Sequence, residues 1–175
     1  QALNYLVTGE PPRRRGTAHP NIVPYQAFAT KDSWLMLAVG NGCILALPHL
    51  GGWEWAGRWI TDQGLKMTVV VEALEPKELF DWFAELRKNL GMTIVATGPQ
   101  AGIAVLKALR ANEIVCLLSD RDLERNGVEV DFFGEQTTLP AGPAMMGLRV
   151  GAPILPAAAY FTPAYQGHHA LVRPP

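Results

Sequence analysis

The chain has 175 residues, 49% hydrophobic and 18% charged, with a formal net charge of −1. That length allows one domain with a real core or two small ones, and a near-neutral chain offers no global electrostatic case for binding nucleic acid. No uncharged apolar run reaches the about 18 residues of a bilayer-spanning helix, although the composition is apolar for a freely soluble protein. In chain order, residues 1–33 are polar and turn-rich, with Gly9-Glu10-Pro11-Pro12 and His19-Pro20-Asn21 breaking any regular element. Arg13, Arg14 and Arg15 form a local basic turn, read as solvated. Trp34–Val39 has strand length and is punctuated by Gly40-Asn41-Gly42.

From Gly42 the texture changes. Cys43–Leu47 predicts a buried strand, Trp53–Gln63 a helix stopped by Gly64, and Met67–Val71 a second buried strand. Pro76–Leu90 is the clearest helix, with Pro76 in the first turn and Gly91 beyond its end. Leu79, Phe80, Trp82, Phe83, Leu86 and Leu90 predict one broad buried stripe on it. Thr93–Ala96 is a third strand, and Gln100–Ala111 a helix with Ile103, Leu106 and Leu109 inward. Ile114–Leu118 and Val128–Phe133 are the fourth and fifth strands, Ala141–Val150 a short helix, and Ile154–Tyr160 a sixth strand. Alternating strands and helices predict an α/β fold of three layers, a mostly parallel central sheet flanked by helices. The irregular segment 1–41 precedes it and is not expected to fold alone. The two cysteines, Cys43 and Cys116, sit in apolar runs and predict buried reduced thiols. They cannot supply a four-ligand zinc site, so no metal is expected.

The first chemical signal is His49-Leu50-Gly51-Gly52-Trp53-Glu54, a histidine and an acid five residues apart. It follows a buried strand and precedes a helix, which is the carboxyl edge of the sheet where α/β folds bind ligands. Five helical steps end about 140° from the start, so the two side chains meet only if the chain turns between them. Gly51 and Gly52 make such a turn easy. An imidazole held by a carboxylate is a general base for a hydroxyl.

Several further motifs follow in order: His49–Gly57, Val71-Glu72-Ala73-Leu74-Glu75-Pro76, Leu86–Gly91, Asp120-Arg121-Asp122-Leu123, Gly127–Glu135 and Leu139–Ala144. Together they resemble the phosphatidylinositol mannoside acyltransferases, relatives of the lipid A late acyltransferases, over about residues 42–161. The resemblance implies an acyl-CoA-dependent O-acyltransferase acting on a sugar hydroxyl of a membrane glycolipid. Acyl-CoA would be a co-substrate and no cofactor would be needed. It implies work at the cytoplasmic face of the bacterial inner membrane, with partners limited to acyl-CoA, the glycolipid acceptor and the membrane surface. Carried over by position, His49 is the base, Glu54 the acid of its motif, and Asp120 the carboxylate that orients the imidazole. Glu72 and Arg87 fall where that family lines its sugar or head-group site, and Arg121 and Asp122 are added as substrate-binding candidates. Taken alone, Arg87 reads as a solvated helix arginine, and Asp120-Arg121-Asp122 as a surface turn. Gly52 stands where the family has Asn, Ala73 where it has Arg or Lys, and Asp120 where it often has Glu. An apolar groove for the acyl chain is sought among Trp53, Met145, Met146 and Phe161.

Residues 4–28 and Trp34–Asn41 resemble a different family, the family III CoA-transferases, in which this segment helps to bind CoA. That family's anhydride-forming aspartate lies upstream of the segment, and neither Glu10 nor Asp32 sits in its motif. The two resemblances meet near Gly40–Gly42, the mark of a chimera. They divide the chain into a CoA-transferase-like segment, 1–41, and an acyltransferase core, 42–175. Gln1 and the closing Leu171–Pro175 read as cuts through something larger. The alternatives to an acyltransferase are a CoA-transferase moving CoA between carboxylic acids and an inactive fragment.

Overall fold

A computed structural model describes residues 25–29, 34–38 and 42–175 apart from 124, 166 and 174; for the two short stretches it describes the backbone alone. Glu10, Arg13–Arg15 and Asp32 lie outside the described residues. The chain separates into two compact units, Gln1–Gly40 and Asn41–Pro175. In the first, β1 (Tyr25–Ala29) pairs antiparallel with β2 (Trp34–Ala38), Tyr25 opposite Ala38.

The second unit runs β3 (Cys43–Leu47), α1 (Trp53–Asp62), β4 (Met67–Val71), α2 (Lys77–Asn89), β5 (Thr93–Ala96), α3 (Ala101–Arg110) and β6 (Ile114–Leu118). It continues with β7 (Val128–Phe132), β8 (Glu135–Leu139), α4 (Gly142–Val150), β9 (Ile154–Phe161), a short 3-10 turn and β10 (His168–Val172). The six-stranded sheet has the order β10-β9-β3-β6-β4-β5. Five of its strands are parallel, and β10 joins β9 antiparallel at one edge. β3 and β6 are neighbours in register, with Cys43 opposite Ile114 and Leu47 opposite Leu118. Right-handed crossovers then put α1 and α2 on one face and α3 and α4 on the other. This is the three-layer α/β arrangement with a mostly parallel sheet.

The centre of the sheet is apolar on both faces because helices cover both. Cys43, Ile44, Val69, Val115 and Cys116 have no exposed surface. On the α3–α4 face, Ile44 and Val115 pack with Val105, Ala108, Leu109 and Ala152. Thr68 is the polar side chain buried at the centre, and its hydroxyl donates to Glu113 Oε2 at 2.9 Å. The core thus contains no unpaired threonine hydroxyl there.

Three expectations are corrected. The stripe on α2 is not buried: Leu79, Trp82 and Leu86 are 42%, 61% and 40% exposed, and Ala84 is the helix's buried residue. α2 packs on β5, the edge strand, which itself is only partly covered, so little sheet lies beneath the helix. Ile103 points outward, 64% exposed, because it lies two residues, about 200° of helix, from the inward Val105. The fifth strand, β7, does not join the main sheet. Among the described residues it pairs with β8 alone, in a separate hairpin whose second strand, Glu135-Gln136-Thr137-Thr138-Leu139, has no apolar alternation to announce it.

Burial pushes the Cys43 and Cys116 thiols up to about 12 each. At about pH 8 only about one thiol in ten thousand is then ionised. In the native protein both cysteines should resist iodoacetamide, and both should alkylate once denaturant opens the core. Intact-mass measurement checks this, and a fast-reacting native thiol would contradict the packing of β3 against β6.

Candidate active site

β3 and β6 end side by side, and the chain segments that leave them carry the site. The amide of Ser119 donates to the carbonyl of Leu47 at 2.9 Å, extending the pairing one step past the strands. His49 follows β3 and Asp120 follows β6, so residues 71 apart in sequence face each other. The His49 backbone N–H donates to Asp120 Oδ2 at 3.1 Å, and His49 Nδ1 lies 2.8 Å from Asp120 Oδ1. The carboxylate therefore grips both the backbone and the ring of the histidine.

Protonation follows from that grip. Burial alone pushes the Asp120 carboxyl up, but hydrogen bonds from the His49 ring, the His49 amide and its own amide together bring it below its ordinary value of 3.8. At neutral pH it is ionised and can only accept hydrogen bonds. Nδ1 of a neutral His49 must then carry the proton, and Nε2 keeps its lone pair. The two side chains are 44% and 32% exposed, so the His49 imidazole can be reached from solvent.

The turn after His49 is tight. Leu50 N–H donates to Pro48 O at 2.8 Å, and Gly51 has φ +59 with its α-carbon against β9. A Cβ on Gly51 would lie 2.3 Å from the carbonyl oxygen of Ala159, so both backbone angle and space require glycine. α1 begins directly afterwards, with Trp55 and Ala56 amides bonded to Gly52 O.

Glu54 goes elsewhere. Its Oε1 accepts from Arg87 Nη2 at 3.1 Å, linking α1 to α2. The Arg87 guanidinium also lies 5.0 Å from the centroid of Trp53 and 5.3 Å from that of Phe83. With a side chain 14% exposed, Arg87 is not the solvated arginine its helix pattern suggests, and its Nε lacks a hydrogen-bond partner. The structure thus brings together His49 and Asp120, and separately Glu54 and Arg87.

The remaining predicted residues continue the same edge. Glu72 follows β4, the neighbour of β6, and its Oε2 lies 3.5 Å from Arg121 Nη1. Both are well exposed, and such a pair adds little stability. Asp122 turns away from them. It accepts from the amides of Asn126 and Gly127 and from the Thr138 hydroxyl at 2.7 Å, which closes the base of the β7–β8 hairpin. The sought apolar groove does not form from the four candidates. Trp53 is buried beneath Arg87 and Met146 packs into the α3–α4 core, leaving Met145 and Phe161 exposed. A cavity of about 390 Å³ lined by Arg58, Asp62, Lys66 and Asn89 opens among residues at the opposite edge of the sheet and contains none of the predicted site.

Sequence reasoning overlooked one neighbour of this edge. His168, at the start of β10, stacks with Trp55 and lies against Gly52. Nothing in its local sequence announces this, because the contact arises from the antiparallel return of β10 beside β9.

Residues 31–175 match the family described as bacterial lipid A biosynthesis acyltransferase. The chain belongs to that lipid A acyltransferase family. The match reaches further toward the amino terminus than the boundary expected at residue 42. Among similar proteins, the phosphatidylinositol mannoside acyltransferase of Mycobacterium tuberculosis is 44% identical over 128 residues, covering 71% of this chain and 40% of that protein. Its namesake in Mycolicibacterium smegmatis is 41% identical over 131 residues, covering 73% and 43%. The succinate–glutarate CoA-transferase of Agrobacterium fabrum is 58% identical over 151 residues, covering 81% of this chain and 34% of that protein. This member of the lipid A acyltransferase family thus spans about two fifths of the length of the acyltransferase relatives it matches.

The sign of the Asp120 effect is fixed by its depressed carboxyl. Its contribution to stability is present above the ordinary carboxylate value and is lost as pH falls through the lower folded value. Titration of the Asp120 carboxyl by carbon-13 NMR should place it below 3.8 in the parent. In a His49→Ala variant the ring's hydrogen bond is gone while burial persists, so the value should rise. An unchanged titration would contradict the pairing.

Proposed function

We propose that the acyltransferase-family part of this chain is the catalytic core of an acyl-CoA-dependent O-acyltransferase acting on a sugar hydroxyl of a membrane glycolipid. The observation that carries the reading is the exposed His49 whose Nδ1 is held by an ionised Asp120. In this mechanism Nε2 accepts the proton of the acceptor hydroxyl as its oxygen attacks the thioester carbonyl. A carbon–oxygen bond forms, the carbon–sulfur bond breaks, and the imidazolium returns the proton to the departing thiolate. The carboxylate fixes the tautomer and stabilises the transient imidazolium. No covalent acyl-enzyme is required.

Glu72 and Arg121 extend the polar edge next to Asp120 and suit a hydroxyl-rich acceptor. Glu54 and Arg87 hold α1 against α2, the frame from which the His49 turn projects. The mannosylated phosphoinositide acceptor is taken from what the similar proteins are named for, and the acyl-CoA donor from the family resemblance; palmitoyl-CoA serves as the assay donor. Work at the cytoplasmic face of the inner membrane belongs to the same proposal. No described helix is long and apolar enough to cross a membrane. Peripheral attachment is supported by α3 and α4, whose charged residues are Lys107, Arg110 and Arg149 and whose Ile103, Met145 and Leu148 are 64%, 58% and 87% exposed. Cations beside protruding apolar side chains suit an anionic lipid surface.

The test is thiol release from palmitoyl-CoA, dependent on a mannosylated phosphoinositide. His49→Ala should lower kcat about 10²- to 10⁴-fold, the usual weight of a positioned general base. A His49→Ala protein as active as the parent would overturn the assignment.

A further inference from the structure

The turn that presents His49 is braced by a residue that the proposed chemistry does not use. Gly52 has φ −95, a backbone angle open to any residue, so conformation does not require glycine there. Space does. A Cβ on Gly52 would lie 2.4 Å from Cε1 and 2.5 Å from Nδ1 of His168. No real Cβ approaches a ring that closely, so the imidazole occupies the place of a side chain at position 52.

His168 is itself held from two sides. Its ring is stacked with Trp55 in the first turn of α1, centroids 6.2 Å apart and planes 26° apart. It also lies 5.3 Å from the ring of Phe161, its register partner across β9 and β10. The imidazole thus lies between the start of α1 and the end of β9, beside Gly52, on the exposed side of these elements. Gly52 is also the N-cap of α1, and no side-chain hydrogen bond caps this helix. Where a capping side chain would normally fix the entry of the chain into the helix, a ring from β10 fills the space.

We propose that His168 is a positioning residue for His49, acting through Gly52 and setting the turn that aims Nε2 at the acceptor. The proposal rests on the assignment of His49 as base. His49 is three residues from Gly52, and its own end is fixed by Asp120. Only Leu50 and Gly51 lie between the two anchors, so displacement of one end reorients the ring at the other. Gly52 and His168 are coupled by space: a methyl group added at one requires the ring at the other to shift.

The experiment is a double-mutant cycle with Gly52→Ala and His168→Ala, plus His168→Phe as the ring-conserving variant. Two readouts are followed in the intact chain. One is kcat and KM for thiol release. The other is the Asp120 carboxyl titration, which senses the His49 contact without catalysis. Gly52→Ala and His168→Ala should each lower kcat about 10- to 100-fold with KM changed less than about twofold, the signature of misplacement rather than lost binding. Each should also move the Asp120 titration upward. His168→Phe should restore both, and Gly52→Ala should add little in the His168→Ala background.

The proposal is overturned if Gly52→Ala costs the same in both backgrounds, or if His168→Ala leaves kcat and the Asp120 titration unchanged. It is equally overturned if His168→Phe is as poor as His168→Ala, because the imidazole would then act chemically. A parent that releases no thiol would defeat the reading of His49 as base, and the carboxyl titrations would still decide whether His168 sets the turn.

Discussion

One carboxylate bonded twice to one histidine organises this edge of the molecule. Asp120 takes the His49 ring on one oxygen and the His49 amide on the other. The bond to the amide fixes where the chain leaves β3, and the bond to the ring fixes which nitrogen faces outward. Neither would form unless β3 and β6 were neighbours ending at the same level. That adjacency comes from a β5–α3–β6 crossover that brings the chain back between β3 and β4. The apolar centre of the sheet, Ile44 and Val115 under α3 and α4, holds the two strand ends together. Core packing thereby sets the distance between two polar groups at the rim.

Around that contact the edge divides into layers of different stiffness. Glu54 and Arg87 form a partly buried pair in which the guanidinium lies over Trp53 and Phe83. Removing either partner would leave a poorly solvated charge, which makes the pair a rigid joint between α1 and α2. Glu72 and Arg121 are well exposed, so water competes for both charges. Asp122 is committed to the hairpin base through two backbone amides and the Thr138 hydroxyl. Three acids within a short stretch of the carboxyl edge thus have three physical roles, and exposure and bonding separate them where residue type does not.

The sheet and its helices were largely legible in the sequence, because buried parallel strands read as continuous apolar runs. β3, β4 and β6 show this directly. β8 and β10 were not legible, since Glu135–Leu139 is polar and His168–Val172 borrows its strand character from β9. The periodicity on α2 misled about burial, because a helical stripe reports an apolar face and not the presence of something to cover it. At the site, the spacing of His49 and Glu54 pointed to a local pair. The family resemblance also placed Asp120 by the histidine. Spacing could not distinguish the two carboxylates, because the relevant neighbour is 71 residues away and is brought near only by strand order. The contact of His168 with Gly52 was invisible for the same reason.

The most direct measurement is the tautomer of the His49 ring, read from long-range proton–nitrogen-15 correlations of the side chain in the neutral form. If Asp120 holds the ring as described, Nδ1 carries the proton and Nε2 shows the shift of an unprotonated nitrogen. A neutral His49 protonated at Nε2 would contradict this, since it would leave no lone pair facing the acceptor hydroxyl.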